Sequence, residues 1–221
     1  MRKFASLFLI LPLLVAGCHH GVRSGIAGSG KRELQKRQVQ PFVAISTEGA
    51  FTIEVTCQKE LSVEVEGDDN ILNLVSSEVS GNVLHLKNTK NYSTDEPVRF
   101  KISVPNLEAI SVSGAGAINV KGMANEKFEI DAEGAPSITV AGTTKVIDID
   151  SSGAGKIDTH NLRASRGIVE SKGVSKIELD VADELDVNVS GPSMVTYTGN
   201  PVVNKTVNGP GKIVRRSSEG A

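Results

Sequence analysis

The sequence predicts an all-β chain, a single-stranded, right-handed parallel β-helix (solenoid) with 18–20 residues per coil, on three observations. Glycines recur at Gly114, Gly134, Gly153, Gly173, Gly191 and Gly209, spaced 20, 19, 20, 18 and 18 residues apart. A fixed period of this length marks stacked supersecondary units, each unable to bury its apolar face alone. Four residues after each glycine stands Ile118, Ile138, Ile157, Ile177, Val195 or Ile213, without exception. Four before stand Ile110, Ile130, Ile149, Val169 and Val187, and only Lys205 breaks that column.

Two positions beyond the first column lie Val120, Val140, Thr159, Leu179 and Tyr197, so apolar residues alternate at the period of a strand. Each coil therefore reads as strand, bend, strand. The bend is built from Gly, Ala, Pro and Ser, as in Gly114-Ala115-Gly116 and Gly191-Pro192-Ser193. Glycine tolerates positive φ and proline presets φ near −65°, so such corners turn sharply. Stacked in register, successive coils pair as parallel strands at roughly 4.8 Å, with the branched aliphatics forming one interior ladder. The right-handed form is expected because no strict six-residue repeat is present.

Upstream, Ile45, Gly49, Ile53 and Val55 reproduce the same offsets, so the first coil starts there. The rest of residues 42–104 is strand-rich but less periodic, with strands expected over 61–66, 71–79, 83–87 and 98–104 and a polar loop over 88–96. Irregular coils, or a small capping sheet, are expected here, since an uncovered rung offers unpaired backbone groups to another chain.

Residues 1–18 have the form of an export signal: Arg2 and Lys3, then an apolar run from Leu7 to Val15 that is short for a bilayer span. The end, Leu14-Val15-Ala16-Gly17-Cys18, resembles the lipobox of bacterial lipoproteins, which implies lipidation of Cys18 and a membrane anchor of several acyl chains. His19 stands where many inner-membrane lipoproteins carry aspartate, so the expected address is the cell envelope, at the outer membrane, on a face the sequence leaves open. Residues 19–40 are Gly/Ser-rich and then basic, and are expected to be a flexible tether spanning about 25 Å, with a short helix over 31–39 as the alternative. The domain proper is placed at residues 41–215, followed by a polar tail over 216–221.

The formal charge is −2. Removing Arg2 and Lys3 with the leader leaves 22 basic against 26 acidic residues, or −4. That balance argues against a nucleic-acid partner. Six Phe, two Tyr and no Trp fit many short strands and tight turns.

Chemistry-bearing residues are few. Asp131, Asp150 and Glu170 share one column, and Asp158 and Glu178 another, so like charges stack at roughly 5 Å. Such pairs serve in glycoside hydrolysis or calcium binding. They are also what a solvated acidic face shows, with Lys145, Lys156, Lys172 and Lys176 placed to neutralise them. The second reading is preferred, so no catalytic residue, metal site or cofactor is expected. His160 and His85 lack a serine nucleophile, the Ser113-Gly114-Ala115-Gly116 loop lacks a following helix for phosphate, and His19-His20 lack further ligands. Cys57, the one cysteine besides Cys18, is expected to be buried and unreactive at a strand end.

Three stretches carry a family resemblance: Ile45-x-x-x-Gly49-x-Phe51-x-Ile53-x-Val55, then Val63-x-Val65-x-x-Asp68-x-Asn70-Ile71-Leu72, then Gly114-Ala-Gly-Ala-Ile118-Asn119-Val120 with its echoes. The chain resembles, over residues 42–214, the bacterial envelope family described as putative auto-transporter adhesin, head GIN domain. The resemblance implies a right-handed β-helix on the cell envelope and carries over no catalytic residues. The expected function is a non-enzymatic, lipid-anchored solenoid presenting a rigid polar surface to glycan, peptidoglycan or an envelope protein. The alternatives are an enzyme acting on envelope polysaccharide and a self-assembling structural subunit.

Overall fold

The computed structural model describes residues 25–216, which form a β-solenoid of about five turns without an α-helix. The expected signal segment with Cys18, the histidines 19 and 20, and the tail beyond Arg216 lie outside the described residues. The chain enters through β1 (Ile26–Ala27) and β2 (Arg32–Arg37), then turns its first corner at Gly49 between β3 (Ala44–Glu48) and β4 (Thr52–Cys57). It leaves the stack for β5 (Ser62–Asp68), a 3-10 turn at Leu72–Leu74, β6 (Val75–Ser80), β7 (Val83–Asn88), β8 (Tyr92–Ser93) and β9 (Arg99–Val104). After β10 (Ala109–Gly114) come the long strands β11 (Ala117–Gly134), β12 (Ser137–Ser151), β13 (Lys156–Ser171) and β14 (Lys176–Ser190). β15 (Met194–Thr198), β16 (Val202–Asn208) and β17 (Lys212–Arg215) finish the stack.

The register joins like with like. Ile118, Ile138, Ile157, Ile177, Val195 and Ile213 are successive partners in parallel ladders. The first five are at most 2% exposed, while Ile213, on the last strand among the described residues, is half-buried. Ile45, Ile110, Ile130, Ile149, Val169 and Val187 form the second buried column. Burying one such side chain stabilises by about 1.5–3 kcal/mol, so the columns hold the stack together.

Each regular coil contains three straight runs rather than two. Between β11 and β12 the pairing covers 117–120 with 137–140, 123–125 with 142–144 and 127–132 with 146–151, with a register shift between Val120 and Met123. Gly122 and Gly142 make this extra bend at φ 72° and 138°.

The corner glycines are held for two reasons. Gly49, Gly114, Gly134, Gly191 and Gly209 have positive φ, which suits glycine. Gly153 and Gly173 do not. There the preceding rung's backbone approaches so closely that an added Cβ at Gly153 would fall on the Gly134 carbonyl oxygen, and one at Gly173 on that of Gly153.

The N-terminal end departs from chain order. β3 pairs in parallel with β10 on one side and β7 on the other, and β4 likewise with β11 and β9. The rung formed by residues 83–104 thus lies outside the rung of residues 44–57, although it follows it in sequence. Antiparallel strands then close the end: β6 on β7, β5 on β9 and β2 on β5. The cap therefore combines the expected irregular coil, residues 83–104, with antiparallel strands laid against it.

Three expectations are corrected here. Residues 25–40 are neither a free tether nor a helix in their described part, because β2 pairs with the edge of β5. The turn Gly67-Asp68-Asp69-Asn70 clamps the segment before it: Gly30 N donates to Asp68 Oδ2 (3.1 Å), Ser29 Oγ to Asp69 Oδ1 (2.7 Å) and Asn70 Nδ2 to the Ala27 carbonyl (2.8 Å). Backbone pairing and polar clamps order a segment too poor in apolar residues to order by burial. The strand expected over 71–79 begins only at Val75, since Leu72 turns into the core at full burial. The loop over 88–96 contains β8, paired with β1.

Candidate functional site

The stacked carboxylates lie where the spacing puts them. Asp131, Asp150 and Glu170 are register partners on the strands that precede the glycine corners, and Asp158 and Glu178 on those that follow. Their surroundings differ. Asp158 pairs with Lys156 at 3.4 Å and with His160, and Glu178 with Lys176 at 2.7 Å and Arg216 at 3.1 Å. Burial pushes the Asp158 carboxyl upward, but His160 and Lys156 outweigh it and hold the group below the usual carboxylate range. The Lys176 hydrogen bond does the same for Glu178. Two carboxylates fixed in ionised form by cations are poor general acids.

On the other strands Asp150 is pushed up, first by burial and then by Glu170, Asp131 and Asp148, against the pull of Lys172. Lys172 pairs with Glu170 at 2.8 Å. Lys145 reaches Glu126 at 2.6 Å instead of a stacked aspartate. No group of three or more His, Cys, Asp or Glu among the described residues is arranged to hold a metal ion. Cys57 is 3% exposed, and burial pushes its thiol up to about 11, far from nucleophilic chemistry near neutral pH.

A furrow that the sequence reading missed lies on this second surface. Ala44, Ala109, Glu129 and Asp148 are one register column, and Ser46, Ser111, Asp131 and Asp150 another. On the β3 and β10 rungs the outward residues are therefore small, and on the next two rungs they are long and acidic. The result is a depression of about 680 Å³ with an Ala/Ser floor and a wall of carboxylates joined by Lys172. A second depression of about 650 Å³ shares Ala44, Ala109 and Glu129 and adds the amides Gln58, Asn106 and Asn125. The two adjoin along these shared residues as one open furrow, and each by itself is within the size range of ligand sites. The signal in the sequence was the change from Ala/Ser to Asp/Glu at fixed offsets from the glycines. It became visible only with the β3–β10 register.

The family whose description reads putative auto-transporter adhesin, head GIN domain, matches residues 41–201. The chain belongs to this family. The head GIN fold here is similar to a solved putative adhesin from Bacteroides fragilis NCTC 9343, at 23% identity and a TM-score of 0.71, covering 87% of this chain and 100% of that one. It is also similar to a putative adhesin from Parabacteroides merdae ATCC 43184 (17% identity, TM-score 0.52, 86% and 98% covered). A third is described as a putative lipid binding protein from Parabacteroides distasonis ATCC 8503 (18% identity, TM-score 0.50, 86% and 99% covered). At these identities the likeness shows the shared fold. No curated protein matches the chain. No helix among the described residues of this head GIN domain is long and apolar enough to cross a membrane.

Proposed function

We propose that this head GIN domain is a non-enzymatic binding module of the bacterial cell envelope, held by a lipid on Cys18, that takes a hydroxyl-rich glycan in the Ala/Ser-floored furrow. The observation that carries this reading is the furrow: a flat floor at Ala44, Ser46, Ala109 and Ser111 beside Glu129 and Asp131. Small floor residues admit a ring edge-on, and carboxylate and amide oxygens accept from ligand hydroxyls, while an anionic ligand meets repulsion. Lys127 pairs with Glu129 and Asp148, which leaves the wall less negative than its composition. A parallel ladder supplies stiffness, so weak contacts repeated from rung to rung add through multivalency. The ion pairs at Asp158 and Glu178 favour this over a polysaccharide-cleaving enzyme.

The test is binding to an array of neutral and acidic glycans, peptidoglycan fragments among them. Wild type is expected to bind neutral members, and Ser111→Arg, which fills the floor, to lose them at unchanged circular dichroism. Retained binding in Ser111→Arg, or no glycan bound at all, rejects the furrow. Cys18→Ala is expected to move the protein from the membrane fraction to the soluble one, and an unchanged distribution rejects the anchor.

A further inference from the structure

Two inward columns end in a cation on the last described rung, while the Ile118 column ends there in Ile213. Ile110, Ile130, Ile149, Val169 and Val187 are all at most 3% exposed, and the next register position holds Lys205. In the other column Leu179 is partnered by Tyr197, and Tyr197 by Arg215. Lys205 sits on β16 and Arg215 on β17, strands whose ladders among the described residues lie on one side only, to β14 and β15. Arg215 Nε folds back onto the Gly199 carbonyl at 3.0 Å.

Aliphatic residues share this rung with Asn204, Thr206, Asn208 and Lys212. Val203 and Ile213 are half-buried, and Val202, Val207 and Val214 are 69%, 41% and 44% exposed. Open backbone groups beside branched aliphatic side chains template a further strand, and a second copy of the same chain carries strands of the required pattern.

We infer that Lys205 and Arg215 form a stop that prevents a second copy of this chain from stacking on the C-terminal rung. A strand laid over β16 would enclose the Lys205 ammonium in the column above Val187, removing a charge from water without a partner. Tail to tail, in an antiparallel pairing centred on Lys205, Lys205 meets Lys205. Head to tail, β16 meets β6, whose core-side residues Ser77 and Val79 offer no carboxylate. Inward-pointing charges on an edge strand are a general device against such association. This inference is independent of the glycan reading, because it concerns the end of the stack and not its side.

The experiment is sedimentation velocity of the full-length lipoprotein in detergent at one copy per micelle or fewer, with circular dichroism as the folding check. Wild type is expected to remain a single copy. Lys205→Val/Arg215→Val is expected to associate with concentration, its self-dissociation constant falling about tenfold or more. Adding Val207→Lys to that variant restores the single copy, which separates stacking at this end from general misfolding. Should the double variant lose its β signal, Lys205→Val alone decides in the same way. The inference is overturned if the charge-removed variant stays a single copy, if its association survives Val207→Lys, or if wild type already associates and Val207→Lys dissociates it.

Discussion

Ser151 and Ser175 are 24 residues apart in the chain and share a 2.6 Å hydrogen bond between their hydroxyls inside the solenoid. One rung on, Ser171 Oγ donates to Ser193 Oγ at 2.8 Å, Ser175 N donates to the same oxygen at 3.1 Å, and Ser193 Oγ donates to the Gly173 carbonyl at 2.8 Å. Ser151, Ser171, Ser175 and Ser193 are each at most 2% exposed. The hydroxyl of Ser193 thus uses its donor and both lone pairs, and the corner is held by a polar ladder behind the glycines.

Ser193→Ala therefore leaves Ser171 Oγ, Ser175 N and the Gly173 carbonyl each short of one partner. A loss of about 1–3 kcal/mol is expected, the cost of unsatisfied buried groups. Urea denaturation followed by circular dichroism measures it. An unchanged midpoint means that the ladder adds nothing to stability.

Two corner glycines should respond differently to alanine. At Gly153 φ is not positive and the added Cβ meets the backbone of Gly134, which cannot move aside, so a loss above about 3 kcal/mol is expected. At Gly209 φ is 116° but the nearest atom to the Cβ is 3.5 Å away, so the cost is backbone strain, on the order of 1–3 kcal/mol. Chemical denaturation of both variants orders them. Equal losses would show that strain and not rung contact governs the corners.

The stacked carboxylates give opposite pH dependences. Asp158 and Glu178 titrate lower in the folded chain than unfolded, so their stabilisation is present above about pH 4 and is lost as pH falls through the lowered values. Asp150 titrates higher, so the folded state favours its protonated form and this contribution is lost as pH rises above about 4. Asp150→Asn is expected to raise the melting temperature at pH 7 and to leave it little changed at about pH 3, while Glu178→Gln lowers it at pH 7. Thermal scans across this range check both signs.

Asn70 secures the N-terminal segment by accepting from Ser29 N at 2.9 Å and donating to the Ala27 carbonyl at 2.8 Å. Asn70→Ala is expected to speed amide exchange over residues 25–31 several-fold, as befits exposed hydrogen bonds of about 0.5–1.5 kcal/mol each. The rungs from Ala109 onward should exchange as in wild type. Unchanged exchange at residues 25–31 would show that β2 alone orders the segment.

The candidate site was legible in part. Asp131, Asp150, Asp158 and Glu178 could be placed in columns because a parallel stack in register carries each residue onto the equivalent residue of the next coil. Which of them a cation neutralises was not readable, since Lys145 reaches Glu126 while Lys156 and Lys176 reach Asp158 and Glu178. Those choices depend on rotamers and on distances of an ångström. The furrow was unread because its floor joins Ala44 to Ala109, 65 positions away.

By itself the sequence determined the solenoid from Ala109 onward, its buried ladder and its glycine corners, because a strand that pairs with the next coil repeats its pattern at a fixed offset. It determined Lys205 as the break in a column, too. Only the tertiary structure decided that residues 83–104 slide outside the first coil, that β2 pairs with β5, and that Gly153 is glycine for lack of space. Antiparallel and out-of-order pairings leave no fixed offset in the chain, and close approach between backbones is a property of two rungs together.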